Sequence, residues 1–89
     1  MNNQMVVKIE NCLDELKGKP IKISQNGFIV TQFFMNKLIY MLKDDVLNLR
    51  DESKEVYLSL NLNQAYQIEI SKNKVVFFLD NDTEIEISI

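Results

Sequence analysis

The sequence predicts an α+β fold: an N-terminal helix followed by an antiparallel β-meander, curled into a small barrel or a bent sheet. Three observations predict it. Apolar residues recur every three or four positions between residues 4 and 17. After residue 20 they mostly alternate with polar ones, the period of two that belongs to strands. Polar runs rich in Asn, Asp, Lys and Ser interrupt that alternation at hairpin spacing. A chain of 89 residues supplies one core, so one domain is expected, with helix 4–17 and meander 20–89.

The helix comes first. In "QMVVKIENCLDELK", Met5, Ile9, Cys12, Leu13 and Leu16 share one face, and Lys8, Glu10, Asp14 and Lys17 fall largely elsewhere. Gly18 can take the left-handed conformation that closes a helix, and Pro20 prevents continuation.

In "KISQNGFIVT", Asn26 and Gly27 read as a two-residue type I′ turn, because both residue types tolerate positive φ. That register sets Gln25 opposite Phe28, Ile23 opposite Val30 and Ile21 opposite Gln32. Ile21, Ile23, Phe28 and Val30 would then share the buried face.

"QFFMNKLIYMLK" supports two readings. Phe34, Met35, Leu38, Met41 and Leu42 have helical spacing, with Thr31 as N-cap. The segment also divides at Met35 and Asn36 into strand, turn and strand, which suits the surrounding meander. "KLIYML" would be a strand buried on both sides.

Three hairpins follow. A loop at residues 51–54 sets Leu47 opposite Leu58 and Leu49 opposite Val56, and Val56, Leu58, Leu60 and Leu62 keep a period of two. A turn at Lys72 and Asn73 pairs Ile70 with Val75, Ile68 with Phe77 and Tyr66 with Leu79. A three-residue loop at 81–83 sets Leu79 opposite Ile85, Phe77 opposite Ile87 and Val75 opposite Ile89, which buries apolar against apolar. Val75, Phe77, Ile85 and Ile87 are therefore core. The final "TEIEISI" is expected at a sheet edge. A meander this long must curl, giving a domain of SH3 or Sm-like size with the helix over one opening or face.

Composition excludes much chemistry. The apolar share of 46% and charged share of 26% are those of a globular protein, not a disordered one. With no histidine, the chain lacks Ser-His-Asp and Cys-His nucleophile pairs and His-ligated metals. It contains no CxxC, P-loop or GxGxxG pattern. No catalytic group, cofactor or metal site is expected, and the reading is non-enzymatic. "DNDTE" spaces Asp80, Asp82 and Glu84 like the start of a calcium loop, without its glycine and distant glutamate, and suits a turn on backbone grounds alone. Cys12, the single cysteine, lies on the apolar helix face and reads as a small buried hydrophobe. It cannot form an internal disulfide, which suits the cytoplasm. "MNNQMVVKIENCL" has no basic n-region of a signal peptide, and "FIVTQFFMNKLIYML" is too short and polar to cross a bilayer. Asn, Lys and Ile abound, as an AT-rich bacterial or phage coding sequence would give.

Three readings of function follow. The first is an interaction or assembly module that associates with itself or with another protein. Val76 and Phe78 point away from the core face, so the strand is apolar on both sides and must be covered by the helix or by a partner. With Phe33, Phe34 and Tyr40 they form the candidate interface of a homo-oligomer. The second is a phage-type acidic inhibitor that imitates phosphates toward a nucleic-acid enzyme. The charge is uneven: through Lys43 six lysines face three acids, and from Asp44 onward ten acids face four bases. Its candidate patch is Asp44, Asp45, Asp51, Glu52, Asp80, Asp82, Glu84 and Glu86, with Glu55 beside it. The third is an RNA binder using Lys17, Lys19, Lys22, Lys37 and Lys43 with Phe28, Phe33, Phe34 and Tyr40. A helix followed by a meander with "FFMNKLIYML" early in it resembles Sm-like RNA-binding proteins, without that family's glycines or second motif.

Overall fold

The computed structural model describes residues 2–53, 57–80 and 82–89. The order is α1 (Asn3–Leu16), β1 (Ile21–Asn26), β2 (Thr31–Met35), β3 (Leu38–Lys43), β4 (Val46–Asp51), β5 (Tyr57–Asn61), a 3-10 turn (Leu62–Gln64), β6 (Ala65–Ser71), β7 (Lys74–Leu79) and β8 (Thr83–Ser88). The strands form two antiparallel sheets, a five-stranded one ordered β2-β1-β8-β7-β6 and a three-stranded one ordered β3-β4-β5. The sheets bend around a shared core and do not close into a barrel. The chain changes sheets at Asn36 and Lys37, and again at the 3-10 turn.

The helix forms where its periodicity places it. The Asn2 side chain accepts the Met5 N–H at 2.8 Å, satisfying one of the free donors of the first turn. At the other end Gly18 has φ 79°, as a left-handed cap requires. Its N–H donates to Leu38 O at 2.9 Å, and Leu38 N–H donates to Lys19 O at 3.3 Å. The helix exit is thereby tied to the start of β3. α1 lies against β6 and β7 of one sheet and β3 of the other. Ile9, Cys12, Leu13 and Leu16 join Ile21, Ile23, Met35, Leu38, Leu47, Leu49, Leu60, Leu62, Val75, Phe77, Ile85 and Ile87 in one buried cluster.

The segment 32–43 is two strands, but they do not pair with each other: β2 belongs to the larger sheet and β3 to the smaller. β3 is not buried on both sides, since Leu38 is enclosed while Met41 remains 62% exposed.

The β1–β2 hairpin departs furthest from expectation. Asn26 and Gly27 are not a type I′ turn, because neither has a positive φ. β1 runs on through Asn26, which pairs with Glu84 of β8. The partners of Ile21 and Ile23 are Met35 and Phe33, not Gln32 and Val30. The expected register would have put Gln32 against the core, and the observed one puts Met35 there, 1% exposed. The shift is an odd number of residues, so β2 turns over. Phe28 and Val30 leave the core face for an exposed loop.

Gly27 has a different role. A Cβ there would lie 3.0 Å from Thr83 Oγ1 and 3.5 Å from Thr83 Cα and Cβ. Gly27→Val is expected to destabilise by about 1–3 kcal/mol through overpacking, and Thr83→Ala should recover part of that loss in urea unfolding. A loss that Thr83→Ala leaves untouched would point to backbone strain instead. The two-residue turn with positive φ at both central positions is at Asp44 (54°) and Asp45 (62°), where Lys43 pairs with Val46.

The remaining hairpins keep the expected faces with smaller slips. Leu49 faces Leu58 and Leu47 faces Leu60, two residues from expectation; Val56 and Lys54 lie outside the described residues. Ile70 faces Val75 and Ile68 faces Phe77 as expected, but a bulge between Ala65 and Gln67 gives Leu79 Ala65 as its partner rather than Tyr66. Phe77 faces Ile85 and Val75 faces Ile87, so β8 is also displaced by two and Ile89 is 59% exposed. The connection is 80–82, with Asp82 at φ 57° closing the turn; Asn81 lies outside the described residues. β8 is not an edge. It lies between β1 and β7, and so joins the acidic second half of the chain to the basic first half.

Candidate interaction surface

From Ile23 to Asn36 the chain carries no charged side chain. In the fold this stretch supplies the second half of β1, the loop 27–30 and all of β2. Phe28 is 103% exposed, Ile29 67%, Val30 65% and Phe34 66%. Among the described residues β2 pairs with β1 on one side and with no strand on the other. Edge strands of soluble proteins ordinarily carry a lysine, a proline or another guard against pairing, and this one has none. A contiguous apolar surface beside open backbone donors and acceptors is the usual mark of a protein contact.

The expected interface residues do not gather into one patch. Val76 is 8% exposed. The helix does not cover it, because α1 packs into the core that Val75 and Phe77 enter. Val76 stands instead between Glu69 and Glu86 on the neighbouring strands, whose aliphatic stems flank it. Phe78 is half-buried, with its ring 6.3 Å from that of Tyr66. Phe33 and Tyr40 pack against the core. The Tyr40 hydroxyl donates to Asp14 Oδ1 at 2.5 Å. Burial raises the Tyr40 pKa, and the Asp14 carboxylate raises it further. Of the five, Phe34 alone is freely exposed.

The acidic residues also separate. Asp44 and Asp45 form the β3–β4 turn, and Asp45 accepts from Leu62 N–H through its backbone oxygen at 2.8 Å. Asp80 and Asp82 form the β7–β8 turn. Leu79, which opens that turn, pairs with Ala65, the residue after the 3-10 turn, so the two turns share one end of the molecule. Glu84 and Glu86 lie on the outer face of β8, where Lys74 Nζ is 3.8 Å from Glu86. Glu52 sits at the other end, 3.4 Å from Lys37 Nζ. Glu55 lies outside the described residues.

Asp51 is a structural group, 5% exposed. It accepts Lys37 N–H at 3.0 Å and the Ser53 hydroxyl at 3.0 Å, holding the corner where the chain changes sheets. The hydrogen bond from Lys37 N–H holds its carboxyl below the usual Asp pKa. A depressed folded-state pKa means that the ionised form adds stability above the unfolded pKa of about 3.9, and that this is lost as pH falls through the folded value. The difference in melting temperature between wild type and Asp51→Asn should be largest above about pH 4 and shrink below it. A difference independent of pH would show that charge at Asp51 contributes nothing.

The lysines and aromatics of the RNA reading are not brought together. Lys17, Lys19 and Lys37 lie at the end opposite the loop 27–30, Lys22 is on β1, and Lys43 abuts the Asp44 turn. Among the described residues no three His, Cys, Asp or Glu side chains gather as metal ligands, and no helix is long and apolar enough to cross a membrane. Cys12 is buried and its Sγ donates to Lys74 O at 3.7 Å. Burial raises its pKa, with Glu15 adding to the effect, which suppresses the reactive thiolate.

The chain matches no known protein family, no curated protein and no solved structure. Sequence reasoning assigned Phe28 and Val30 to the core. The signal that could have placed them outside is the uncharged run itself, which is longer than one hairpin needs to fill a core face.

Proposed function

We propose that the protein is a small, non-enzymatic cytoplasmic interaction module that binds a protein chain along β2 and the loop before it. The observation that carries this reading is the uncharged edge strand continuous with three exposed apolar loop residues, Phe28, Ile29 and Val30. Binding there covers apolar surface and satisfies the open strand edge together. The buried, unpaired Cys12 suits a reducing compartment.

Site-specific photocrosslinking in cells tests it. Benzoylphenylalanine in place of Phe34 should give a discrete protein adduct, and the same group in place of Lys72, in the β6–β7 turn at the far edge of the five-stranded sheet, should not. No adduct from position 34, or equal adducts from both, would overturn the reading.

The convergence of the Asp44–Asp45 and Asp80–Asp82 turns at one end favours the acidic-inhibitor reading as second. It requires salt-sensitive binding to a basic nucleic-acid enzyme that Asp80→Asn with Asp82→Asn abolishes and Phe34→Lys leaves intact.

A further inference from the structure

We infer that the occupant of the β2 edge is a second copy of this chain, paired antiparallel across a two-fold axis at Gln32. The inference rests on the interaction-module reading and names its partner.

Three observations lead to it. First, the surface is neutral. A partner selected by charge would be matched by charges on the edge, and residues 23–36 have none. An uncharged edge meets its own copy without like-charge repulsion.

Second, the side-chain order is self-complementary. In an antiparallel pair centred on Gln32, Val30 of one chain falls opposite Phe34 of the other, and Thr31 opposite Phe33. Phe34 points to the outer face of the five-stranded sheet, Val30 lies in the loop one residue before β2, and both are exposed in the single chain. Pairing places them together twice, once on each side of the axis, as an isologous contact requires. The two Gln32 side chains meet on the axis. Centring the pair on Phe33 instead would set Phe34 against Gln32 and leave both aromatic rings with a polar neighbour.

Third, the ends are complementary. The Asp80 and Asp82 turn lies at the loop end of β2, and Lys19 and Lys22 lie toward its Met35 end, where Lys37 is already paired with Glu52. Antiparallel pairing sets the acidic end of one copy toward the basic end of the other, whereas parallel pairing would set like beside like.

The area is sufficient. Phe28, Ile29, Val30 and Phe34 expose on the order of 500 Å² per chain, so the pairing reaches roughly 1,000 Å², the lower limit for a specific interface, when the loop residues Phe28 and Ile29 fold over the partner together with the Val30 and Phe34 contact. The product is a continuous ten-stranded sheet in which neither β2 remains an edge. A membrane surface is a poorer occupant, because Asp44, Asp45, Asp80 and Asp82 share the loop end and would face anionic headgroups.

Sedimentation and mild oxidation decide. At micromolar concentration the wild type should sediment with twice the mass of one chain at both low and high salt. Phe34→Lys and Val30→Lys, on exposed positions, should halve that mass with melting temperature and circular dichroism of the monomeric fold retained. Val7→Lys, on the exposed helix face, should not. Gln32→Cys should give a disulfide-linked dimer under oxidation, and Lys72→Cys should remain monomeric in the denaturing gel. A wild-type monomer overturns the inference. So does a dimer that withstands Phe34→Lys, or one in which Gln32→Cys fails to cross-link. A wild-type monomer that still gives an adduct with a different protein from position 34 refutes self-pairing and leaves the interaction module standing. A monomer with no adduct removes both.

Discussion

Phe77→Ala should lower the folding free energy by about 3–5 kcal/mol. Phe77 is fully buried on β7, a central strand. Ile68 faces it from β6 and Ile85 from β8, and the same cluster receives Leu13 and Leu16 from the helix and Leu47 and Leu49 from the second sheet. Truncation leaves a void bordered by strands of both sheets, each fixed by its own backbone pairing, so the site collapses poorly and the loss falls toward the upper end of the range. Small domains have about 5–15 kcal/mol in total, so the variant should be partly unfolded at modest urea. Glu86→Gln is the control. Its carboxylate lies 3.8 Å from a half-exposed Lys74 ammonium, a pair that contributes little in water, and the change should be within about 0.5 kcal/mol. Equal losses from the two would mean that β7 presents its other face to the core.

That face was legible because period-two alternation is a direct record of which side is buried. Val75 and Phe77 stand against Lys74, and Ile85 and Ile87 against Glu84 and Glu86. The same alternation is blind to a slip of two, which returns every side chain to its own face. Phe77 could therefore face Ile85 or Ile87 with equal burial, and the tight turn with Asp82 at positive φ chose Ile85. β4 and β5 slipped by two for the same reason.

The β1–β2 hairpin failed differently. Asn26 and Gly27 are a strong local turn signal, but β1 has two neighbours, and its pairing with β8 extends to Asn26 and Glu84. Only the tertiary partner reveals that Gly27 is small because Thr83 is close. The candidate surface inherited that error. Phe34 was recognisable as an exposed apolar residue, while Phe28 and Val30 were hidden by a register that placed them inside. Val76 misled for a complementary reason: an apolar residue on an outer face can be covered by the stems of its charged neighbours, with no partner required.

Leu13→Ala is expected to cost about 2–5 kcal/mol and to release the helix before the sheets. α1 has 14 residues, a length at which an isolated helix is marginal in water. Its persistence therefore depends on what its buried face touches. Leu13 is fully buried beside Ile9, Cys12 and Leu16, in contact with a core built from both sheets. Among the described residues no strand of one sheet pairs with the other, so the helix, lying on β6, β7 and β3, is one of the elements that join them. Loss of the Leu13 side chain weakens that junction at its centre. Val7→Ala, on a side chain 52% exposed, removes a β-branch from a helix surface and should be neutral to slightly stabilising. Hydrogen exchange separates a local from a global effect. In Leu13→Ala the amides of α1 should exchange faster by a larger factor than those of β7 and β8, because local opening of the helix then costs less than unfolding of the whole. Uniform acceleration across all elements would show that helix and sheets open as a single unit, and unchanged melting would show that the helix contributes nothing to the core.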